Sequence, residues 1–456
     1  MSRARKSFWP GPVLLCAVQF VDVLGVTSAT TAIPAVVEEL PAGSLAVVAI
    51  AAAYATFFGG FLVVGARIGD RWGHRPVLIV GLVLFAAVAV IGATAEDSAQ
   101  VAVARALQGL AAAVSIPSAL RLLLHLTPEP DRRTSAIAAW SAAGAAAGAA
   151  GFLLGGLVTE VWSWRGIFWV NLPVGLALAA LIARFIRDTP EPLGRAARLN
   201  IGGAVLMAGA VMLLVGGGAL TEQPDTRLVG AAGALLGLVA GGVFVLQQQR
   251  SRDALIPPQA FGTANLRLGT GLSFVNTATT SSSAVVLTLS LQQGHGATPL
   301  QAGLQLLPLS LAVVVGSAAA KPFSARWSRS TGAGAGLLAI AGGNVVLALQ
   351  SELVAGVMTG AGLMGVGLGV SSVAATSIGT DVPEQISGIA SGVINTAAQL
   401  GTALGIAVVL AISTAVPPPL NGTITAWIVV AAIAAATAVA CVWPIVGSAR
   451  RAASPR

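Results

Sequence analysis

The sequence predicts an all-α polytopic membrane protein. Three observations carry that reading: a shortage of charge, apolar blocks of bilayer length, and basic residues gathered in alternate loops. Only 9% of the 456 residues are charged, while 55% are hydrophobic. A soluble domain carries about a quarter charged residues, so this chain has too little polar surface to cover a core in water. Its apolar residues come in uninterrupted stretches such as Leu45–Gly65, Pro76–Thr94 and Ile424–Val446. Each approaches the ~20 residues that a helix needs to cross about 30 Å of hydrocarbon. The sequence has no ten-residue alternation of the membrane β-barrel kind, which leaves helices to satisfy the backbone in lipid.

Taken in order, the twenty-residue rule places fourteen spans, at about 11–33, 45–65, 76–94, 101–124, 135–158, 166–186, 200–220, 228–248, 267–291, 301–320, 332–349, 353–376, 387–413 and 424–446. The first follows a basic N-terminus, but it is too long for a secretion signal and has no clear small-residue cleavage site, so it reads as a span. Both ends of the chain are basic, with Arg3, Arg5 and Lys6 at one and Arg450 and Arg451 at the other. Alternate loops repeat the bias, through Arg67, Arg71 and Arg75 and then Arg132 and Arg133. The intervening loops hold Arg165 and Arg227 against Glu38, Glu39, Glu96, Asp97, Glu222 and Glu352. By the positive-inside rule both termini lie in the cytoplasm and the membrane is an inner or plasma membrane. The net charge of +8 is therefore a topology signal, and no nucleic-acid partner is implied.

The spans divide into a six-helix half over residues 1–199, an inserted hairpin over 200–252, and a second six-helix half over 253–456. Two halves of similar length suggest an internal duplication. Cys16 and Cys441 fall inside spans and read as small apolar fillers, and His74, His125 and His295 are scattered, so neither a metal site nor a cofactor is expected. The sequence has no phosphate-binding loop of the GxxxxGK[ST] type and no cluster of catalytic groups in the spans. An enzyme or a nucleotide-driven pump is not expected.

Five motifs then appear in order. Between spans 2 and 3 the chain reads GARIGDRWGHR, with Gly65, Gly69, Asp70, Arg71, Gly73 and Arg75. A connection this short needs glycine where φ is positive or backbones crowd, and Asp70 is free to meet a helix end or an arginine, Arg121 being one candidate. Span 4 holds Arg105, Gln108 and Gly109 in RALQGLAAA. Span 5 carries Gly144, Gly148, Gly151 and Gly155, whose 4-3-4 spacing puts them on one helical face for close packing. WRGIFWVNLPVG follows from Trp164 to Gly175, and SGIASGVINTAAQLG runs from Ser387 to Gly401. In this order the motifs resemble the major facilitator superfamily, and in particular its fourteen-span drug/proton antiporter branch. The resemblance covers essentially the whole chain. It implies the major facilitator fold, the loop at Gly65–Arg75 as a conformational switch, and proton-driven efflux of amphipathic small molecules such as drugs or natural products. Symport or uniport of a metabolite is the alternative. The implied partners are a small-molecule substrate, protons and the lipid bilayer, with the chain acting as a monomer.

Two charged side chains lie well within spans, Asp22 and Arg105. Each costs about 2.5–3.5 kcal/mol or more if left facing lipid at the bilayer centre. They must face a water-filled cavity, pair with each other, or, for Asp22, be protonated. Proton coupling by Asp22 with Arg105 as its partner is the functional reading, and a structural ion pair the bland one. In the family the span-1 acid often stands one turn later, at the position of Gly25. Polar faces complete the inventory of a candidate substrate path: Gln19 and Thr27 in span 1, Asn276, Thr280 and Ser283 in span 9, and Asn395 with Gln399 in span 13. The same groups are equally suited to hydrogen bonds between helices.

Overall fold

The computed structural model describes residues 10–40, 43–187, 199–221, 224–251, 253–256, 262–383, 387–416 and 421–452. Among them are fourteen long helices. They are α1 (Pro10–Glu39), α2 (Ser44–Trp72), α3 (His74–Ala93), α4 (Ser98–Leu126), α5 (Pro130–Val161), α6 (Arg165–Phe185) and α7 (Ile201–Leu220), then α8 (Arg227–Arg250), α9 (Ala264–Leu289), α10 (Pro299–Arg326), α11 (Arg329–Gln350), α12 (Val354–Gly379), α13 (Ser387–Ala415) and α14 (Gly422–Ala452). Thirteen are long and apolar enough to cross a bilayer. The exception is α9, whose run of Ser, Thr and Asn side chains lowers its hydropathy although its length of 26 residues suffices. The protein is a multi-pass membrane protein.

Most helices outrun the spans expected for them, because the twenty-residue rule counts the apolar centre while the helix runs on until something stops it. Asp97 caps α4 by accepting from Gln100 N at 2.8 Å, Asn200 caps α7 through Gly203 N, and Ser328 caps α11 through Thr331 N. Pro130 occupies the first turn of α5, where its missing N–H costs no helical bond.

The helices fall into two compact units. Unit 1 comprises residues 1–255 with 291–304, and unit 2 comprises 256–290 with 305–456. In unit 1, α1 packs on α5 and α4, α2 on α4, and α3 on α4 and α6. Leu15, Leu78, Leu82, Phe85, Leu122 and Ile182 form its main apolar cluster. The hairpin α7–α8 belongs to unit 1 and attaches through α7 to α2, where Gly60 faces Ala208. Helix α8 buries little beyond Gly230, Gly237 and Gln248, and it turns Leu228, Leu235 and Leu238 outward, as suits a lipid-facing helix. Arg67 of α2 donates to the carbonyls of Asp253 at 3.0 Å and Ala254 at 2.6 Å, fixing the chain that leaves the hairpin. In unit 2, α9 packs on α12 and α13, and α11 on α12 and α14, around Leu272, Leu337, Ile340 and Ile378.

Lipid tails are as apolar as these side chains, so burial from water does not hold the helices together; close packing and interhelical hydrogen bonds do. One such joint occurs twice. Thr27 of α1 donates to the Ala147 carbonyl at 3.5 Å, with Gly151 opposite, and Thr277 of α9 donates to the Ala398 carbonyl at 2.6 Å, with Gly401 opposite. The same offset along the chain separates Thr27 from Thr277 and Gly151 from Gly401.

Candidate functional site

The charged residues expected inside the bilayer meet in unit 1, through a residue that the sequence reading did not single out. Tyr54 of α2 donates its hydroxyl to Asp22 Oδ1 of α1. The Arg105 guanidinium of α4 lies over the same ring, 4.7 Å from its centroid. Tyr54 is 2% and Arg105 5% exposed, and Asp22 is partly buried. No direct ion pair joins Asp22 and Arg105 among the described residues; tyrosine links them, with O–H toward the anion and π-face toward the cation. Arg105 Nη1 also donates to the Gly25 carbonyl and to Gln108 Oε1, each at 3.4 Å. Arg105 Nε and Gln108 Nε2 are buried without a partner.

The backbone explains why these three side chains meet. Gly109 lies one turn beyond Arg105, and a Cβ there would strike the Tyr54 carbonyl oxygen, with Phe58 N at 3.1 Å. Only glycine lets α2 and α4 approach so closely, and that approach sets the tyrosine ring beneath the guanidinium. Phe58, with its centroid 5.8 Å from that of Tyr54, backs the ring. Beside Asp22 a small recess of about 10 Å³, room for a single water, is lined by Val18, Val21, Leu82, Phe85, Ala112 and Ile116, with Ser115 as its other polar side chain. The site is thus one carboxylate at the edge of an apolar recess.

The sequence at Gly65–Arg75, read as a loop, is almost wholly helical. It closes α2 and opens α3, and the chain turns at Gly73 alone, with φ +91°. Gly65 faces the Ala113 carbonyl, and Gly69 leaves room for the His74 ring. Asp70 does not meet Arg121, which is exposed; its Oδ1 lies 3.1 Å from Nε2 of buried His74, the first residue of α3. Arg75 reaches the end of α6 and donates to the Ala183 carbonyl at 2.6 Å, where the helix dipole favours a cation. Arg71 lies over the Trp72 ring at 5.1 Å.

Along α5 the glycine face packs against α1: Gly144 opposite Gln19, Gly151 opposite Thr27, Gly155 opposite Ser28 and Thr31, with Gly148 buried between. Gln19 Oε1 is buried and unpartnered. At the other end of α1, Glu39 pairs with Arg165, accepts from Trp164 Nε1 at 2.8 Å, and so joins α1 to α6; Arg165 also donates to the Ala95 carbonyl at 2.8 Å. The WR pair of the motif at Trp164 is therefore a clasp.

The polar face of α9 lies inside unit 2. Asn276 Nδ2 donates to Ser372 at 2.6 Å, Ser371 donates to Asn276 Oδ1 at 2.8 Å, and Ser283 donates to Asn344. Thr280 is buried with its hydroxyl unpartnered. Asn276 and Ser283 thus form an interhelical polar seam. On α13, Asn395 is exposed and Gln399 partly buried.

Comparison with known proteins bears on the family and the fold. Residues 15–200 match the Major Facilitator Superfamily. The chain is 35% identical over 309 residues to the cephamycin export protein of Amycolatopsis lactamdurans, covering 66% of this chain and 63% of that one. It is 34% identical over 316 residues to the tetracenomycin C resistance and export protein of Streptomyces glaucescens, covering 68% and 57%. With the puromycin resistance protein of Streptomyces alboniger it shares 32% identity over 350 residues, covering 75% and 68%. The match thus spans less than two thirds of the length of the first two relatives. The fold is also that of a peptide-transporter-family protein solved with a thioalcohol-conjugated peptide (TM-score 0.71, 13% identity, 97% of each chain) and of a human organic anion transporter (TM-score 0.64, 15% identity, 95% and 99%).

Proposed function

The chain belongs to the Major Facilitator Superfamily, and we propose that it is a proton-driven exporter of amphipathic small molecules. The observation that carries this reading is the ionisable centre in unit 1, where Asp22 borders an apolar recess and is tied through Tyr54 to Arg105. An acid held inside the membrane is functional by default, and a carboxylate that alternately meets the two sides can take up and release a proton. The printed names of the relatives, exporters or resistance proteins for cephamycin, tetracenomycin C and puromycin, favour natural-product antibiotics as the solute class.

In this account Asp22 carries the proton and Arg105 is its electrostatic partner. The α2–α3 turn, with Asp70 against His74, is the conformational switch. The glycine face of α5 lets α1 pack closely, and the candidate solute contacts are Gln19 and Thr27 in unit 1 and, in unit 2, Asn395 and Gln399. Asn276, Thr280 and Ser283 are assigned to packing. The chain works as a monomer in the plasma membrane, as two six-helix halves with an inserted hairpin and both termini cytoplasmic.

Purified protein in proteoliposomes tests the reading, with puromycin as the probe solute and an imposed pH gradient. Export predicts puromycin movement opposite to the proton flow and its collapse on adding a proton ionophore. Movement with the protons would make the chain a symporter, and movement indifferent to the gradient a uniporter. Topology is checked separately: cysteines at positions 295 and 195, in a Cys16→Ser, Cys441→Ser background, are expected to label from opposite sides of the membrane.

A further inference from the structure

We infer that Tyr54 is the positioning residue that transmits the protonation state of Asp22 to Arg105. The inference rests on the reading of Asp22 as the proton-carrying group. Tyr54 is the only tyrosine of the chain, and it stands mid-helix in α2, where an apolar side chain would pack without needing a partner. Its hydroxyl donates to Asp22 and its ring carries Arg105. Both groups belong to one rigid plane, so a hydroxyl that changes its partner also moves the surface under the guanidinium. The rest of Arg105 is loosely held: its other hydrogen bonds, to Gly25 and Gln108, are each 3.4 Å long, and its Nε has no partner. The α2 backbone cannot move in the ring's place, because the Gly109 contact seats the Tyr54 carbonyl tightly against α4.

The chemistry balances simply. With Asp22 ionised, Tyr54 O–H donates to the carboxylate. When Asp22 takes a proton from water, the new carboxyl O–H becomes a donor, and the phenol oxygen is free to act as its acceptor. The proton ends on Asp22, tyrosine keeps its own, and no covalent bond of the tyrosine is made or broken. Arg105 then rests on a ring whose hydroxyl has reversed its role, and this is how a cation that does not touch the acid registers its proton.

A spectroscopic test needs no solute. The full chain labelled with ¹³C at tyrosine Cζ gives a single resonance. The resonance of the parent is expected to move through one step between about pH 4 and about pH 9, below the usual titration of tyrosine itself. In Asp22→Asn it is expected to stay flat, and in Arg105→Lys, which keeps the charge but loses the planar cation, to be displaced throughout. A flat parent, or a step that survives in Asp22→Asn, overturns the inference. Transport supplies the second arm. Tyr54→Phe keeps the ring and loses the hydroxyl, so gradient-driven puromycin movement should fall about tenfold, as expected for losing a hydrogen bond to a charged group. Tyr54→Leu loses the ring as well and should fall about tenfold further. Parent-level activity in Tyr54→Phe, or equal activity in the two variants, overturns the inference. Should Tyr54→Leu fail to insert, the resonance decides. A parent that moves no puromycin under a pH gradient defeats the export reading instead, and the resonance titration still judges Tyr54 by itself.

Discussion

Units 1 and 2 share a joint and differ at their centres. In each, a threonine of one helix donates to a carbonyl of a glycine-bearing partner, Thr27 to Ala147 and Thr277 to Ala398. Beyond that joint, unit 1 places Asp22, Tyr54 and Arg105 in contact across α1, α2 and α4. Unit 2 places Asn276, Ser371 and Ser372 across α9 and α12, and Ser283 with Asn344 across α9 and α11. Both centres use polar groups to hold helices together where lipid offers no hydrophobic drive. Only the centre of unit 1 can change its charge. The same joint thus accompanies an ionic centre in one unit and a neutral seam in the other.

The largest effect expected from this contrast is at Arg105. Arg105→Ala leaves Asp22 as a buried acid with no cation nearby, and breaking a buried charge arrangement of this kind costs about 3 kcal/mol. Thermal unfolding in detergent should show that loss, and Arg105→Lys should recover part of it. Next come the close backbone contacts. Gly109→Leu and Gly401→Leu each drive a side chain into a facing carbonyl, at Tyr54 in unit 1 and at Phe274 in unit 2, with an expected cost of about 2 kcal/mol from overpacking. Their stabilities should fall alike, while only Gly109→Leu should disturb the dependence of transport on the pH gradient. A like effect of the two on that dependence would erase the functional difference between the units. Ser283→Ala removes one bond of the neutral seam and should cost about 0.6 kcal/mol, the usual worth of an interhelical hydrogen bond in a membrane protein, with gradient dependence intact. The smallest effect is at Glu39, half exposed in its pair with Arg165: Glu39→Gln should change stability by about 0.5 kcal/mol or less, since exposed ion pairs contribute little.

How much of this was legible in the sequence depended on which property each residue uses. Span positions follow from apolar length, so every helix from α1 to α14 overlaps the stretch expected for it. The 4-3-4 glycines of α5 follow from helical period, and their partner proved to be α1. Partners across helices are not written in local pattern. Asp70 was free to meet a helix end or an arginine, and of these Arg121 is not its partner, whereas His74 at the start of α3 is. The face of Asn276 and Ser283 is a genuine helical face, but period alone does not say whether it looks into a path or at α11 and α12. Tyr54 escaped notice because an aromatic in an apolar span blends with its neighbours. Its signal was rarity: a lone tyrosine at mid-span carries a hydroxyl that must find a partner, and the nearby spans offer one carboxylate.

The most direct test of the asymmetry compares Asp22→Asn with Ser371→Ala in proteoliposomes under an imposed pH gradient, with puromycin as the solute and empty liposomes as the leak control. Asp22→Asn imitates the protonated acid permanently and is predicted to lose gradient-driven movement while Asp22→Glu keeps part of it. Ser371→Ala, in the neutral seam, is predicted to respond to the gradient as the parent does. Undiminished gradient-driven movement by Asp22→Asn would contradict the account and move the coupling away from the charged centre of unit 1.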